Sequence, residues 1–359
     1  MVDWVARIFR DAAYKQKRFL KPLLIDRFMT SEDIFTTTIL VIIPAIFVLL
    51  LGYSAGRAKR FNTDQVKGIN ELVLDFALPA SLFVGVVGMS RTRIEHSLSF
   101  FLAILIAFFV VYLLALIIGR FLLRLNSSSV ALFALGSAFP SAPFFGPSIL
   151  GGLFGWAKAA IAVTSASIVG FLILVPISMI LLESARIRQA KATNGSGIKS
   201  SKSEVSKAII QSLIGAGKAP YVWAPVVGLV LALVGVPIPS LIKSMLMLIG
   251  HAASGVALFV AGLILAAHRL KLGRVVLLNT VLKSLVEPLL MLAFVLVFDL
   301  RKLLAGEALA TVALPSVIIV TMLAGRYKVY ESEAASNLIL TSFVMVGVVP
   351  LFQYLAHFL

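Results

Sequence analysis

The chain has 359 residues, of which 60% are apolar and only 13% are charged, and its mean hydropathy is +1.03. These values lie far outside the range of soluble domains, so we expect an integral membrane protein. The absence of cysteine excludes disulfides, thiolate metal sites and cysteine catalysis. A net charge of +16 fits cytoplasmic loops beside anionic lipid better than it fits nucleic acid, and we expect no nucleic-acid partner.

Residues 1–33 form a basic N-terminal segment with seven Lys and Arg residues among the first 30. Its acidic residues Asp3, Asp11 and Asp26 argue against a mitochondrial targeting peptide. Helical spacing of the apolar residues predicts an amphipathic helix on the membrane surface. These residues are Val5, Ile8, Phe9, Ala12, Phe19, Leu20 and Leu23.

Apolar stretches long enough to cross a bilayer as helices recur along the rest of the chain. Strand alternation is absent, which favours helices over a barrel. The predicted spans are 34–56, 68–88, 97–123, 130–155, 158–182, 220–236, 241–267, 274–298, 307–325 and 334–357.

A basic linker, residues 184–219, divides the ten predicted spans into two sets of five. It contains KATNGSGIKSSKSE and separates a first repeat, 34–183, from a second repeat, 220–359. Lys and Arg are more abundant in the loops on the linker's side, which predicts a cytoplasmic linker and both termini outside. The basic N-terminal segment disagrees with this orientation, because its Lys and Arg residues would lie outside.

The two halves show an internal repeat at nearly constant offsets of 174 to 176 residues. Because each half has an odd number of spans, the second half enters the membrane from the opposite side, and the repeat is inverted. The matching pairs are ASLFVG (80–85) with VALFVA (256–261), AFPS (138–141) with ALPS (313–316), and VPI (175–177) with VPL (349–351).

Helix breaks are predicted in spans 4 and 9. Span 4 contains Pro140, Pro143, Gly146 and Pro147, and Pro315 stands in the repeat-related place in span 9. An internal proline removes a backbone hydrogen bond, and lipid supplies no replacement partner. Two broken helices in corresponding places indicate a transport site near the midplane, where half-helix N-termini attract anions.

Hydroxyl groups flank both breaks. They suit a substrate carboxylate, and they equally suit hydrogen bonds to carbonyls of their own helices, as most membrane serines make. The candidate substrate-binding residues are Ser137, Ser141, Pro143, Ser148, Thr311 and Ser316.

Four ionisable residues lie at membrane depth, where charge is costly and usually functional. Asp75 is the leading candidate for coupling to a proton or cation. Lys283 and Glu287 share a helix face, so they pair with each other, or Lys283 balances Asp75 or an anionic substrate. His251 occupies the repeat-related position of Asp75, and histidine is the side-chain type suited to a change of charge near neutral pH. We expect no metal site and no cofactor.

The chain resembles the auxin efflux carrier (PIN-like) family, in its bacterial form, over residues 34–357. The resemblance implies ten helices in two inverted five-helix repeats, with helices 4 and 9 broken and crossing, as in sodium/proton antiporters. It also implies an elevator mechanism and a carboxylate substrate, such as malate or malonate in bacterial members or auxin in plants. The stretches that carry it are INELVLDFALPASLF, FFGPSILGGLFG, APVVGLVLALVGVPIP, GVALFVAGLILA, LKSLVEPLL and ALPSVIIVTMLAGRY.

The sequence departs from the family pattern at both breaks. Bacterial members commonly have an Asn-Thr-Gly-like sequence where this chain has Ser141, Ala142 and Pro143. A second family asparagine, after the proline of span 9, corresponds to Ile319. The loss of two amides favours a more apolar substrate.

Together these features predict a secondary active transporter of a small organic anion that works by alternating access. Proton and sodium are the candidate coupling ions. We expect the protein in the lipid bilayer of the plasma (inner) membrane, and a homodimer is a possible assembly. The alternatives are a sodium-coupled bile-acid-type carrier on the same fold, or an uncoupled channel or scramblase. An enzyme is not expected, because the spans hold no catalytic cluster and no GxxxxGK[ST] motif.

Overall fold

The structure is a computed structural model that describes residues 31–88, 98–193, 220–268, 270–300 and 303–359. The predicted amphipathic helix and most of the predicted linker lie outside these residues. In the described ranges the protein is all-helical, and the β-type pairing is a single isolated bridge between Pro140 and Ser316. The expected all-helical class is therefore confirmed.

Twelve helices, numbered here in chain order, make up the described part. They are α1 Ser31–Arg57, α2 Thr63–Val87, α3 Leu98–Leu122, α4 Ser127–Ala138, α5 Ala142–Phe154, α6 156–193, α7 Pro220–Val234, α8 Ser240–Ala267, α9 Arg274–Val297, α10 Leu303–Val312, α11 Ile319–Tyr327 and α12 Glu331–Ala356.

Seven of these helices are long and apolar enough to cross a membrane: α1, α2, α3, α6, α8, α9 and α12. The shorter helices α4, α5, α7 and α10 are also apolar. Helix α6 runs on to Thr193, so the first part of the predicted linker is helical. Its sequence there, SARIRQAKAT, is rich in residues with high helix propensity, which explains the extension.

Asparagines begin two of the helices. Asn62 forms a capping box with Gln65 at the start of α2, through bonds of 2.8 and 2.9 Å. Asn126 accepts a 2.8 Å bond from the backbone N–H of Ser129 at the start of α4. Each cap supplies a partner for a backbone donor that the first helical turn leaves open.

Helices α1, α2, α7 and α8 pack together as one group, which we call the first helix group. Within it, α1 and α8 approach so closely that a Cβ added at Gly52 would collide with the backbone of Phe259. A Cβ at Gly262 would collide with the backbone of Leu49 in the same way. Small residues permit such close backbone packing, which drives helix association in lipid.

The remaining helices, α3 to α6 and α9 to α12, form the second helix group. Its core includes Phe139, whose ring packs edge-on against Phe171 at 5.2 Å. Tyr112 on α3 and Ser178 on α6 share a buried hydrogen bond of 2.8 Å. Helices α5, α6 and α12 contact the first helix group and define the boundary between the two groups.

Four of the long helices contain a π-helical turn. The turns lie in α2, α3, α6 and α9, and insertions of this kind occur often at functional sites. The turn in α2 holds Asp75 and the turn in α9 holds Lys283. The four segments are Val73–Ala77, Ile118–Leu122, Gly170–Leu174 and Leu282–Val286.

Replacing Gly52 with alanine should destabilise the protein, since overpacking of this kind costs about 1–3 kcal/mol. Gly68→Ala is the matched control, because nothing lies within 4 Å of a Cβ added at exposed Gly68. There the change should stabilise α2 by up to about 1 kcal/mol. Thermal unfolding of both variants in detergent measures the difference, and equal stability of the two would contradict the close packing of α1 and α8.

Candidate functional site

The two predicted helix breaks are present and they touch. Residues 139–141 separate α4 from α5, and residues 313–318 separate α10 from α11. Pro140 and Ser316 pair in an antiparallel bridge where the two non-helical segments cross, and Ser316 is only 2% exposed. The crossing therefore lies inside the second helix group.

Backbone hydrogen bonds join the two breaks directly. Ser141 donates its N–H to the carbonyl of Pro315 at 2.7 Å, and Val317 donates to the carbonyl of Phe139 at 3.0 Å. Each break thus supplies partners for backbone groups that the other leaves open. Non-helical backbone at membrane depth requires such partners from the protein.

The other prolines of the α4–α5 region have separate consequences. Pro143 lies in the first turn of α5, where a missing N–H costs nothing because that donor has no intrahelical acceptor. Pro147 lies inside α5 and leaves the carbonyl one turn before it without its usual donor. Gly146 packs against Val163 of α6. The start of α5 is therefore intact, and its interior is weakened at Pro147.

The candidate hydroxyls differ in what they bind. Ser137 donates to the carbonyl of Phe133 at 2.9 Å, and Thr311 donates to the carbonyl of Glu307 at 2.6 Å, each within its own helix. Ser141 is fully buried, and its Oγ has no partner among the described residues. Of these three hydroxyls, Ser141 alone remains available at the N-terminus of α5.

A cavity of about 340 Å³ lies between α2, α5 and α8, at the boundary of the two helix groups. Ser81, Ser148, His251 and Ser254 contribute polar groups to it, and Pro147 also lines it. The Ser148 and Ser254 hydroxyls are hydrogen-bonded to each other at 2.5 Å across the boundary. The cavity therefore adjoins the broken helix and is neutral apart from His251.

His251 and Asp75 lie in different surroundings. His251 is exposed at the turn between Gly250 and Ala252 that interrupts α8. It also lines an adjoining cavity of about 330 Å³ together with Lys243. Asp75 is exposed on its π-helical turn and is not among the residues that line either cavity.

Lys283 and Glu287 form an ion pair in which both side chains are fully buried. Lys283 Nζ also donates to the carbonyl of Val312 at 2.7 Å, and Val312 is the last residue of α10. The C-terminal end of a helix carries partial negative charge and open carbonyls, so an ammonium group stabilises it. The pair was predictable from its spacing, whereas its contact with the broken helix depends on tertiary packing.

Sequence reasoning missed three buried polar residues near the breaks: Asn279, Glu307 and Asn337. Asn279 donates to the carbonyl of Phe133 at 2.9 Å, and Thr280 donates to Asn337 at 3.1 Å. A signal was present in α9, where polar residues recur at helical spacing on one buried face. This face consists of Asn279, Thr280, Lys283, Ser284 and Glu287.

An all-helical bundle of apolar spans, with two broken helices that meet inside it and a cavity beside them, defines an integral membrane transport protein. Residues 37–353 match the family model described as membrane transport protein, and the chain belongs to this family, which is the auxin efflux carrier family. The resemblance seen in the sequence is therefore confirmed.

Its relatives include proteins named as transporters. The chain is 31% identical over 317 residues to "Uncharacterized transporter YfdV" of Escherichia coli (strain K12), with 88% of this chain and 96% of that protein covered. The protein of the same name in Shigella flexneri matches equally. "Putative malonate transporter" of Rhizobium meliloti (strain 1021) is 24% identical over 327 residues, with 88% and 94% covered.

Removing Lys283 alone should destabilise the protein strongly. Lys283→Met leaves the Glu287 carboxylate buried without its cation, which costs about 3–5 kcal/mol. In the double variant with Glu287→Leu this part should be regained, but the Val312 carbonyl still lacks its donor, at a cost of about 1–3 kcal/mol. Thermal unfolding in detergent measures both effects.

The exposed pair Lys67–Glu71, at 3.9 Å with the same four-residue spacing, provides the control. Lys67→Met should change stability by no more than about 0.5 kcal/mol. A Lys283→Met/Glu287→Leu protein as stable as the wild type would contradict the stabilising contact between Lys283 and the end of α10.

Proposed function

We propose that this protein is a secondary active transporter that moves a small organic anion across the membrane by alternating access, coupled to an ion. The observation that carries the proposal is the cavity between the two helix groups, next to a broken helix. Binding sites of this kind of transporter lie near the bilayer midplane and are formed by discontinuous helices. The membership of the chain in a transport family supports the same function.

The chemistry around the cavity favours an anion with an apolar body. Lys243 and His251 bring basic side chains to the adjoining cavities, and the Ser148 hydroxyl becomes available as a donor when its bond to Ser254 opens. The N-terminus of α5 adds partial positive charge and the unpartnered Ser141 hydroxyl. A monocarboxylate or dicarboxylate fits these groups, and one relative carries the name of a malonate transporter.

We further propose ten membrane crossings in two inverted repeats, 34–183 and 220–359. In this arrangement α4 with α5 makes one crossing, α10 with α11 makes another, and α7 completes the ten with the seven long helices. The bridge partners Pro140 and Ser316 lie 176 residues apart, which supports the repeat. Asp75 and His251 have the same separation, and both interrupt the α-helical pattern of their helices.

In the proposed mechanism the second helix group slides against the first, as an elevator. The first helix group holds together through close backbone packing at Gly52 and Gly262, which suits a rigid scaffold. The cavity lies on the boundary along which the two groups would move. The bond between Ser148 and Ser254 crosses this boundary and breaks when α5 moves past α8.

The proposed orientation places the linker in the cytoplasm and both termini outside, in the plasma (inner) membrane. It is supported by the excess of Lys and Arg in the loops on the linker's side. We propose that the charges of Lys283 and Glu287 balance each other inside the second helix group. His251 contributes its imidazole to the cavity. Asp75 remains the proposed coupling carboxylate of α2.

Purified protein should be stabilised by its substrate, because a ligand that binds the folded state raises the apparent Tm. We expect mono- or dicarboxylates, or indole acids, to raise the Tm, and Ser148→Ala to weaken the shift about tenfold in apparent Kd, as loss of a hydrogen bond to a charged group predicts. Ser178→Ala is the matched control, since its hydroxyl lies away from the cavity. No shift with any organic acid, or an equal effect of both variants, would count against the proposed site.

Asp75→Asn should abolish ion-coupled accumulation of the substrate in liposomes, because the amide has no negative charge with which to bind a coupling proton or cation. Counterflow exchange, which needs no net coupling, should persist in the same variant. Wild-type accumulation by Asp75→Asn would rule out Asp75 as the coupling group. Equilibration without accumulation by the wild type would point to an uncoupled channel.

A further inference from the structure

Three polar side chains converge on Gly136 at the C-terminal end of α4, beside the crossing of the broken helices. Gly136 belongs to the last turn of α4, and three polar groups face the position where its Cβ would stand. Ser316 Oγ lies 3.3 Å from that position, and Asn279 Oδ1 and Asn337 Nδ2 each lie 3.4 Å from it. Side chains from α9, α12 and the α10–α11 break therefore converge on the small volume next to the glycine where no side chain stands.

Asn279 points an unused acceptor into this space. Its Nδ2 donates to the carbonyl of Phe133 at 2.9 Å and to the Tyr330 hydroxyl at 3.4 Å. Its Oδ1 is buried and has no partner in the part of the chain that the structure describes. A buried acceptor without a partner costs about 1–3 kcal/mol, so a protein retains one when another group binds it.

The Asn337 amide completes an oxygen-lined space in one of its two orientations. In the structure its Oδ1 accepts the hydroxyl proton of Thr280 at 3.1 Å and its Nδ2 faces Gly136. An amide turned by 180° occupies the same volume, with Nδ2 donating to Thr280 Oγ1 and Oδ1 facing inward. Three neutral oxygens, from Asn279, Ser316 and Asn337, then surround the space.

The two broken helices differ in how their C-terminal ends are neutralised. The end of α10 is bound by the ammonium group of Lys283. Among the described residues, no Lys or Arg donates a hydrogen bond to α4, and the residue 175 positions before Lys283 is the buried Phe108. The partial negative charge at the end of α4 therefore has no fixed cation beside it.

The ionisable groups recorded around this position are paired: Glu333, which acts electrostatically on Tyr330, is bound by Lys271, and Lys283 is bound by Glu287. Burial raises the pKa of Tyr330 well above its ordinary value, so the phenol beside Asn279 stays protonated and neutral. On α9, the charge of Lys283 is balanced by Glu287. A small cation would thus meet oxygen ligands and a helix C-terminus, a combination that transporters use to coordinate sodium.

We propose that Asn279, Ser316 and Asn337 form a binding site for an alkali cation, with Na⁺ as the first candidate, at the C-terminal end of α4. The site supplies an alkali cation as a coupling ion in addition to the proposed coupling carboxylate Asp75, and its role rests on the proposed transport function, although binding is measurable separately. A bound cation would tie α9 and α12 to both broken helices. It would also neutralise the partial negative charge at the C-terminal end of α4, as Lys283 does at the end of α10.

Thermal unfolding of the full chain in detergent tests the site without any organic anion. Chloride salts of Na⁺, Li⁺, K⁺ and choline are compared at one ionic strength, so that general salt effects cancel. We expect an alkali cation to raise the Tm saturably, on the order of 2–4 °C at about ten times its Kd, and choline to have no such effect.

Two variants locate the binding. Asn279→Ala removes one ligand, and Gly136→Ala fills the space with a methyl group; each should abolish the saturable shift. Ser178→Ala is the control, because it deletes a buried hydroxyl from the bond with Tyr112 and should keep the shift. Gly136→Ala keeps the test decisive if Asn279→Ala fails to fold.

No alkali-specific shift in the wild type would overturn the proposal and leave a water molecule as the occupant. A shift that persists in Gly136→Ala or in a folded Asn279→Ala protein would also overturn it, since the cation would then bind elsewhere. Failure of every organic acid to bind, with the cation shift intact, would instead contradict the proposed substrate. The two proposals therefore fail by different results.

Discussion

The structure depends on one requirement: backbone groups exposed by a helix break inside a membrane must find partners within the protein, because lipid offers none. The two breaks meet this requirement for each other. The carbonyls of Phe139 and Pro315 accept the N–H groups of Val317 and Ser141. Neither break is satisfied in this way alone, so α4, α5, α10 and α11 fold as one unit, and the rest of the second helix group packs around them.

The crossing of the two breaks also determines where the partial charges of the helix ends lie. Two helices end there and two begin, which brings partial negative and partial positive charge into a region of low polarity. Lys283 neutralises one of the two negative ends and is itself held by Glu287. The two ends are therefore treated differently, since Lys283 lies at the end of α10 and no Lys or Arg of the described residues donates a hydrogen bond to α4.

Much of the architecture was predictable because it follows from local pattern. Apolar length predicted the seven long helices, and prolines predicted where the two breaks lie. The spacing of Lys283 and Glu287 placed them on one helix face and left open whether they pair with each other. The contact between Lys283 and Val312, the bond between Ser148 and Ser254, and the converging amides of Asn279 and Asn337 were not predictable, because they join residues far apart in sequence. The extension of α6 to Thr193 was missed because Ser, Gly and Lys in the following residues suggested a linker.

The small residues along the boundary of the two helix groups have a further consequence. Ser81, Ser148, Gly151, Gly250 and Gly255 line the cavity there and present little relief to the opposite face. The larger side chains of this lining are those of Pro147, Met247 and His251, so the two faces would interlock at few positions. In the proposed movement, the exchange of the hydrogen bond between Ser148 and Ser254 for a new partner would then contribute to the barrier.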